Sequence, residues 1–374
     1  MRGGTAVFRM EGYRMAEIRK ESFGTLKDGR AAELYTLRNA KGTEVKVTTY
    51  GARLVAWKTA APAAVDVLLG YADVATYEAD DDSAMGGIVG RHANRIEGGR
   101  AVIDGRTYQL ELNTGSHKQN HIHGGFHGFH EKLWTAEPET DALKLTYHSV
   151  DGEGGYPGNL DVTVRYALSD ADELSIRYEA VSDADTICNL TNHSYFNLDG
   201  YASGSILDQK IQIFADKYTW ADSESLPDGR ILPVEGTPMD LREPVRIGAH
   251  IDDDFDELRM GAGYDHNWVI RDEKPVRAAF AKAGLKKAAY AEADKTGLTL
   301  TCYTTQPGIQ FYTGNYLNGQ FRGKGGATYP RRSGFALETQ FFPNALAHPN
   351  FPQPILKKGE TWKAETVYVL GTKD

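Results

Sequence analysis

The amino-acid sequence predicts an all-β protein, and three observations carry that prediction. Apolar residues recur at every second position in several segments, the period of a strand with one buried face. Turn-forming residues, 40 glycines and 14 prolines, are scattered between those segments, as a chain with many tight reversals requires. Long runs with apolar residues three and four apart, the mark of amphipathic helices, are scarce.

Taken in order, Leu143, Leu145 and Tyr147 form the first clear alternating set. Leu160, Val162, Val164, Tyr166 and Leu168 fall on one face of a second segment, with Asp161, Thr163 and Arg165 between them. A short Ser-Asp-Ala-Asp-Glu turn leads to Leu174, Ile176, Tyr178 and Ala180, which repeat the pattern. Trp362, Ala364, Thr366, Tyr368 and Leu370 close the chain in the same way. These segments read as antiparallel strands with one wet face. The stretch Lys274 to Lys295 is ambiguous. Its alanines and lysines favour helix, yet Leu285 to Asp294 also fits a strand that turns at Lys295-Thr296-Gly297 into Leu298 to Tyr303. No linker, repeat or low-complexity tract divides the chain, so residues 1–374 are expected to form a single domain.

Composition narrows the function. With 374 residues, 41% of them hydrophobic, the chain can bury a large core. The formal net charge is -9 and no Lys/Arg block offers a phosphate-backbone footprint, which excludes nucleic acid as an expected partner. The acidic balance also speaks against a polyphosphate substrate. Two cysteines, Cys188 and Cys302, sit in apolar or Thr-rich runs without a CxxC spacing, and are expected to be buried free thiols in a reducing, cytoplasmic setting. Arg9 and Glu11 interrupt the opening residues before any signal-peptide core can form. No run approaches the roughly 18 apolar residues that span a bilayer, so no membrane partner is expected.

Several polar clusters offer chemistry. His193 lies in Thr191 to Leu198 and Glu338 in Leu337-Glu338-Thr339-Gln340. General acid–base catalysis needs two groups of different proton affinity, and a histidine with a carboxylate supplies them. The pair gains weight only beside the other clusters. Asn120-His121-Ile122-His123-Gly124-Gly125 is the densest, and five histidines fall between His117 and His130. On a strand, His121 and His123 would point the same way, as in an HxH metal pair. Such a site needs a third ligand, often a carboxylate; Glu131 is the nearest, and its spacing departs from a cupin-like motif. Turn histidines beside flexible glycines and a ligand-binding imidazole are the competing readings. Gly86 to Ile96 is glycine-rich but lacks the Lys-Ser/Thr pair of a P-loop and the GxGxxG spacing. Within it, Asn94 and Arg95 suit sugar hydroxyls, or Arg95 forms a structural salt bridge. Asp265, between Tyr264 and His266, reads either as an acceptor for vicinal hydroxyls or as a turn cap. Thr304 to Tyr312 holds Gln306 and Gln310 with two aromatics, materials for a sugar's polar edge and apolar face.

Together these blocks resemble the galactose mutarotase, or aldose 1-epimerase, family. The matching stretches are Gly90 to Ile96, Asn120 to Gly125, Gly155-Tyr156-Pro157-Gly158, Thr191 to Leu198, Gly263 to Asn267, Thr304 to Asn315 and Ser333 to Gln340. They run in family order from about Gly86 to the C-terminus. The resemblance implies a large antiparallel β-sandwich with a sugar cleft across one sheet, and it tips Lys274 to Lys295 towards loop and strand. It also implies a first hairpin from Thr25 to Arg30 and Ala32 to Leu37, although the opening eighty residues match only loosely.

By the same resemblance, Glu338 is the catalytic base and His193 the catalytic acid. Asn94, Arg95, His123, Asp265 and Gln310 are the substrate-binding positions, whereas His92 and His121 are not expected to function. The implied activity is interconversion of the α and β anomers of free hexopyranoses such as D-galactose and D-glucose. No metal or other cofactor is implied, and the protein is expected to be a monomer or weak homodimer. The rival readings are a sugar-phosphate epimerase or a non-catalytic sugar-binding module on the same scaffold, and a cupin-like metal enzyme centred on His121 and His123.

Overall fold

The structure is a computed structural model that describes residues 17–60, 64–80 and 82–373. The opening stretch that contains Arg9 and Glu11 lies outside the described residues. Three large antiparallel sheets make up the architecture. The first is a four-stranded meander of Glu17–Thr25, Ala31–Arg38, Glu44–Thr48 and Leu54–Lys58. Its first hairpin differs from the expected one. Leu26 to Arg30 is the turn, closed by the Leu26 N–H donating to the Arg30 carbonyl at 2.8 Å, and the first strand precedes it.

The second sheet has nine strands, in the order Thr135–Pro138, Leu143–Ser149, Leu160–Leu168, Glu173–Ser182, Thr361–Thr372, Leu298–Thr304, Lys286–Glu292, Lys210–Ile213 and Val245–Arg246. The alternating segments lie where their period placed them. Leu160, Val162, Val164, Tyr166 and Leu168 are all buried and Asp161 is exposed. Register carries this across the sheet: Leu145 faces Val164, Val164 faces Tyr178, and Tyr178 faces Ala364, giving one buried row over four strands. The ambiguous stretch divides. Ala278–Lys282 is a five-residue helix, anchored by buried Phe280 in a cluster with Val367 and Tyr303. Gly284, at φ +75°, makes the turn, and Lys286–Glu292 is a strand.

The third sheet has six strands, in the order Tyr195–Phe196, Phe335–Gln340, Gly308–Tyr312, Asp265–Val269, Lys217–Ala221 and Pro227–Pro233. One face packs on the nine-stranded sheet. The Tyr368 hydroxyl donates to the Leu337 carbonyl at 2.8 Å, Thr339 and Thr366 hydroxyls meet at 2.6 Å, and Phe196 lies against Tyr368. Phe311, Phe335, Leu337 and Trp268 join the main core from this face. Because side chains alternate along a strand, the residues between them, Gln310, Glu338 and Asp265 among them, point the other way. Both cysteines are buried and free. Among the described residues, no helix is long and apolar enough to cross a membrane.

Candidate active site

The polar face of the six-stranded sheet forms a floor. Glu338 pairs across the ladder with Gln310, and Gln310 with Asn267, so their side chains form one cross-strand row. Asp265 pairs with Tyr312, one step along. The Gln310 Nε2 amide donates to Asp265 Oδ1 at 2.8 Å, and Arg95 Nη2 stands 3.9 Å from Asp265 Oδ2. Asp265 opens its strand but caps no turn; its carboxylate is held between an amide and a guanidinium. The two readings of Arg95 therefore converge, since its salt-bridge partner is itself a candidate sugar ligand.

His193 approaches from the segment between the short strands Thr191–Asn192 and Tyr195–Phe196. Its backbone is pinned at both ends: the N–H donates to the Gly87 carbonyl at 2.9 Å, and the carbonyl accepts from the Gly86 N–H at 2.8 Å. The ring packs against Tyr195 and Tyr312, at centroid distances of 5.0 and 6.2 Å. This brings His193 Nε2 to 3.6 Å from Glu338 Oε1. Glu338 is 2% exposed and His193 5%. Neither Glu338 Oε2 nor His193 Nδ1 has a hydrogen-bond partner.

His121 and His123 do not point the same way, contrary to the strand expectation. His121 ends a strand pairing, and both its nitrogens are engaged in the interior: Nδ1–H donates to the Glu111 carbonyl at 2.7 Å and Nε2 accepts from the Tyr156 hydroxyl at 2.5 Å. His123 takes a left-handed backbone, φ +51°, which breaks the period of two and turns its ring to the cleft. There it lies 5.4 Å from the His193 ring centre. The backbone N–H of Asn94 donates to His123 Nδ1 at 3.1 Å, so the neutral ring carries its proton on Nε2. Asn94 itself is left-handed, φ +65°, and its Oδ1 accepts from the Arg95 N–H at 2.9 Å.

Burial dominates the electrostatics. It pushes the Glu338 carboxyl well above its ordinary range, with the Asp265 charge adding to the rise and Arg95 opposing it. It pushes His193 down to about 4, against a smaller upward pull from Asp265. His123 is driven well down by burial and by His193. In the free site, burial therefore opposes a charge on either member of the acid–base pair.

His123, His193 and Glu338 bring ligand-type atoms within 4.8 Å of one another. The chemistry of this set does not suit a metal ion. With Nδ1 occupied by the Asn94 N–H, His123 presents an N–H donor to the cleft, and a metal ligand must present a lone pair.

The cleft has a volume of about 650 Å³. Asn94, Arg95, His123, His193, Asp265 and Glu338 line it, while Gln310 lies behind Asp265 and reaches the cleft through it. Residue patterning picked out Tyr312, together with Phe311, but not the other walls. Tyr195 and Tyr312 flank His193, and Tyr316, 57% exposed, stacks on Tyr312 at the rim. Each lies inside or beside a quoted motif, yet aromatic residues in strands more often fill a core, so only the assembled cleft distinguishes them.

A family model for aldose 1-epimerase matches residues 33–369. The chain is 40% identical over 361 residues to galactose mutarotase of Sus scrofa, covering 95% of this chain and 99% of that one. It is 36% identical over 347 residues to aldose 1-epimerase of Escherichia coli (strain K12), covering 91% and 96%. Among solved structures, galactose 1-epimerase from Lactobacillus acidophilus superposes with a TM-score of 0.81 at 28% identity, over 96% of this chain and 100% of that one. The chain belongs to the aldose 1-epimerase family.

Proposed function

We propose that Glu338 and His193 carry out the anomer interconversion of this aldose 1-epimerase on free hexopyranoses such as D-galactose and D-glucose. The observation that carries this reading is the buried approach of His193 Nε2 to Glu338 Oε1, 3.6 Å, on the floor of the cleft. Glu338 takes the proton from the anomeric hydroxyl as His193 gives one to the ring oxygen. The C1–O5 bond breaks and the open-chain aldehyde forms. Rotation about C1–C2 presents the other carbonyl face, and the two residues run the steps in reverse. The C1–O5 bond opens and closes with proton transfer at each end and no change of oxidation state, so the chemistry calls for no redox group, and acid–base groups suffice without a metal.

Asp265 accepts from sugar hydroxyls, held in place by Gln310 and Arg95. His123 offers its Nε2–H as a donor, and Asn94 fixes that proton's position through its backbone. Charge supports an unphosphorylated substrate. Among the described lining residues, Asp80, Asp82, Glu131, Glu224, Asp265 and Glu338 are acidic and only Arg95 and Lys118 are cationic. A phosphate entering that cleft meets mostly like charge.

The wider context follows the same reading. The nine-stranded sheet holds both Leu143–Ser149 and the C-terminal Thr361–Thr372, which supports one domain over residues 1–374. Exposed Glu17, Arg19, Lys20 and Glu21 on the outer strand of the meander discourage edge pairing and support a monomer or weak homodimer. Buried, unbridged Cys188 and Cys302 support a reducing, cytoplasmic setting. The net charge of -9 supports work without nucleic acid.

Polarimetry on freshly dissolved α-D-galactose, α-D-glucose and glucose 6-phosphate tests the substrate assignment. The protein is expected to speed mutarotation of the two free sugars and to leave the phosphate ester at its spontaneous rate. Acceleration of the ester alone would transfer the chain to sugar-phosphate chemistry, and acceleration of none would leave a sugar-binding module.

A further inference from the structure

Gln340 is the most anomalous side chain of the floor. It is completely buried, and neither its Nε2 nor its Oε1 has a hydrogen-bond partner. Leaving a buried polar group unpaired costs about 1–3 kcal/mol, so an amide stranded at both ends is a strong departure from ordinary packing. Exchanging its oxygen and nitrogen changes nothing, because both positions are unpaired.

Its location is specific. Gln340 follows Glu338 by two residues on one strand, so the two share a face with β-carbons about 7 Å apart. The residue opposite Gln340 is Gly308. A β-carbon at Gly308 would meet Asn267 Oδ1 at 2.4 Å and Phe342 at 2.9 Å. The missing side chain therefore leaves room for amides where a strand would ordinarily place another group. The other unpaired atoms of this patch, Asn267 Oδ1, Gln310 Oε1 and Glu338 Oε2, are all acceptors. Gln310 and Asn267 already spend their amide nitrogens on Asp265 and Thr219. Within the patch formed by Glu338, Gln310, Asn267 and Gln340, the Gln340 amide nitrogen is the one donor atom without any partner.

This matters because the reaction asks Glu338 to be a carboxylate in a place where burial opposes the charge. The groups facing it are His193 and Tyr195 from one segment, His123 from another, Arg95 beside Asp265, and Tyr312 from the neighbouring strand. Tyr368 packs on the opposite face of the strand, and its hydroxyl is committed to the Leu337 carbonyl. Arg95 is the one permanent cation among them, and it lies 3.9 Å from a competing carboxylate.

We infer that Gln340 is a positioning residue for catalysis, whose amide donates, directly or through one buried water, to the ionised form of Glu338. The inference rests on the reading of Glu338 as the base. Gln310 Oε1, directly across the ladder, serves the protonated form as an acceptor. The floor thus offers the carboxyl a partner in each of its two states.

The test is the pH dependence of kcat for galactose in Gln340→Met, which keeps the length of the side chain and removes the amide. Activity requires ionised Glu338 and is lost as pH falls through the carboxyl's pKa. Removing a donor to the charged form raises that pKa, so the acidic limb moves to higher pH, by about one unit for one charge-assisted hydrogen bond. At a pH on that limb, kcat drops about tenfold while KM stays within twofold of wild type, by the logic of an interaction made to the catalytic group and not to the sugar. A kcat–pH profile that superimposes on wild type, whatever the melting temperature, overturns the inference. Gln340→Leu provides a second donor-free variant, and failure of both to fold would make the amide structural and overturn it too. Glu338→Gln run alongside separates the two levels. Retained activity there removes the assignment of the base, whereas lost activity with an unshifted Gln340→Met profile removes only the role of Gln340.

Discussion

The strands Leu160–Leu168 and Phe335–Gln340 show what one backbone geometry does under two demands. In the first, Leu160, Val162, Val164 and Tyr166 are buried and Asp161, Thr163 and Arg165 reach towards solvent. In the second, all six residues are buried, Glu338, Thr339 and Gln340 included. The first strand hides apolar surface and leaves its polar groups in water, the cheapest arrangement for stability. The second hides polar groups as well, under loops carrying Asn94, His123 and His193, and leaves Glu338 Oε2 and both ends of Gln340 unpaired. A fold retains such costly burial where the cleft has chemistry to perform.

The sharpest way to break this contrast is Glu338→Gln. An amide cannot take the anomeric proton, so kcat is expected to fall by about 10²- to 10⁴-fold, with the fold intact and the melting temperature unchanged or raised. Initial rates of mutarotation above the spontaneous background are the readout, and a variant that keeps more than about a tenth of wild-type kcat has not lost a general base. The mirror experiment is Leu174→Ala in the nine-stranded sheet, where the side chain is fully buried. It should cost about 2–5 kcal/mol of stability in denaturant titration while KM for galactose holds. A change in KM without a change in stability would dissolve the division between scaffold and site.

Asp265→Asn is a milder probe. The carboxylate accepts charge-assisted hydrogen bonds of about 1.5–3 kcal/mol each, and the amide presents a donor where one of them fell. KM should rise about tenfold or more, and kcat will fall as well if the bonds tighten as the ring opens. Comparing galactose with its 2-deoxy and 3-deoxy analogues locates the contact: wild type should penalise one deoxy sugar strongly and the variant much less. Equal penalties in both proteins would mean that Asp265 touches neither hydroxyl. The smallest effect is expected from chelation. Dialysis against EDTA should leave the rate unchanged, because Asn94 holds His123 as an N–H donor; activity lost on chelation and restored by one added metal would show that the histidine presents its lone pair instead.

Much of this was legible beforehand, and the reason differs by region. The nine-stranded sheet could be read from its period because its outer face meets water, so polarity records orientation directly. In Phe335–Gln340 that record is erased, and Glu338 was located instead by the resemblance of its motif. The same motif contained Gln340, but nothing in a linear pattern distinguishes an amide that pairs from one left stranded. Periodicity alone treats His121 and His123 as an equivalent pair, since a period of two assumes extended backbone at both, and only the family resemblance separated them. The left-handed turn at His123 invalidated that assumption. The second strand of the first hairpin lies where it was expected, within Ala31–Arg38, but the first was misplaced by several residues because Lys27-Asp28-Gly29-Arg30 reads as a turn only once its partner strand is known.

By itself, the sequence determined the class of the fold, the buried faces of its regular strands and the chemical kinds present at the site. Local periodicity and side-chain chemistry suffice for these. Tertiary structure decided that the His123 ring turns into the cleft and which of its nitrogens carries the proton. It decided how far His193 stands from Glu338, and that Gln340 lies buried without a partner. Those properties depend on pairings between residues tens to hundreds of positions apart, such as Gly308 against Gln340 or His193 against Glu338. They also depend on how completely those pairings exclude water, which fixes the cost of each charge and each unpaired amide.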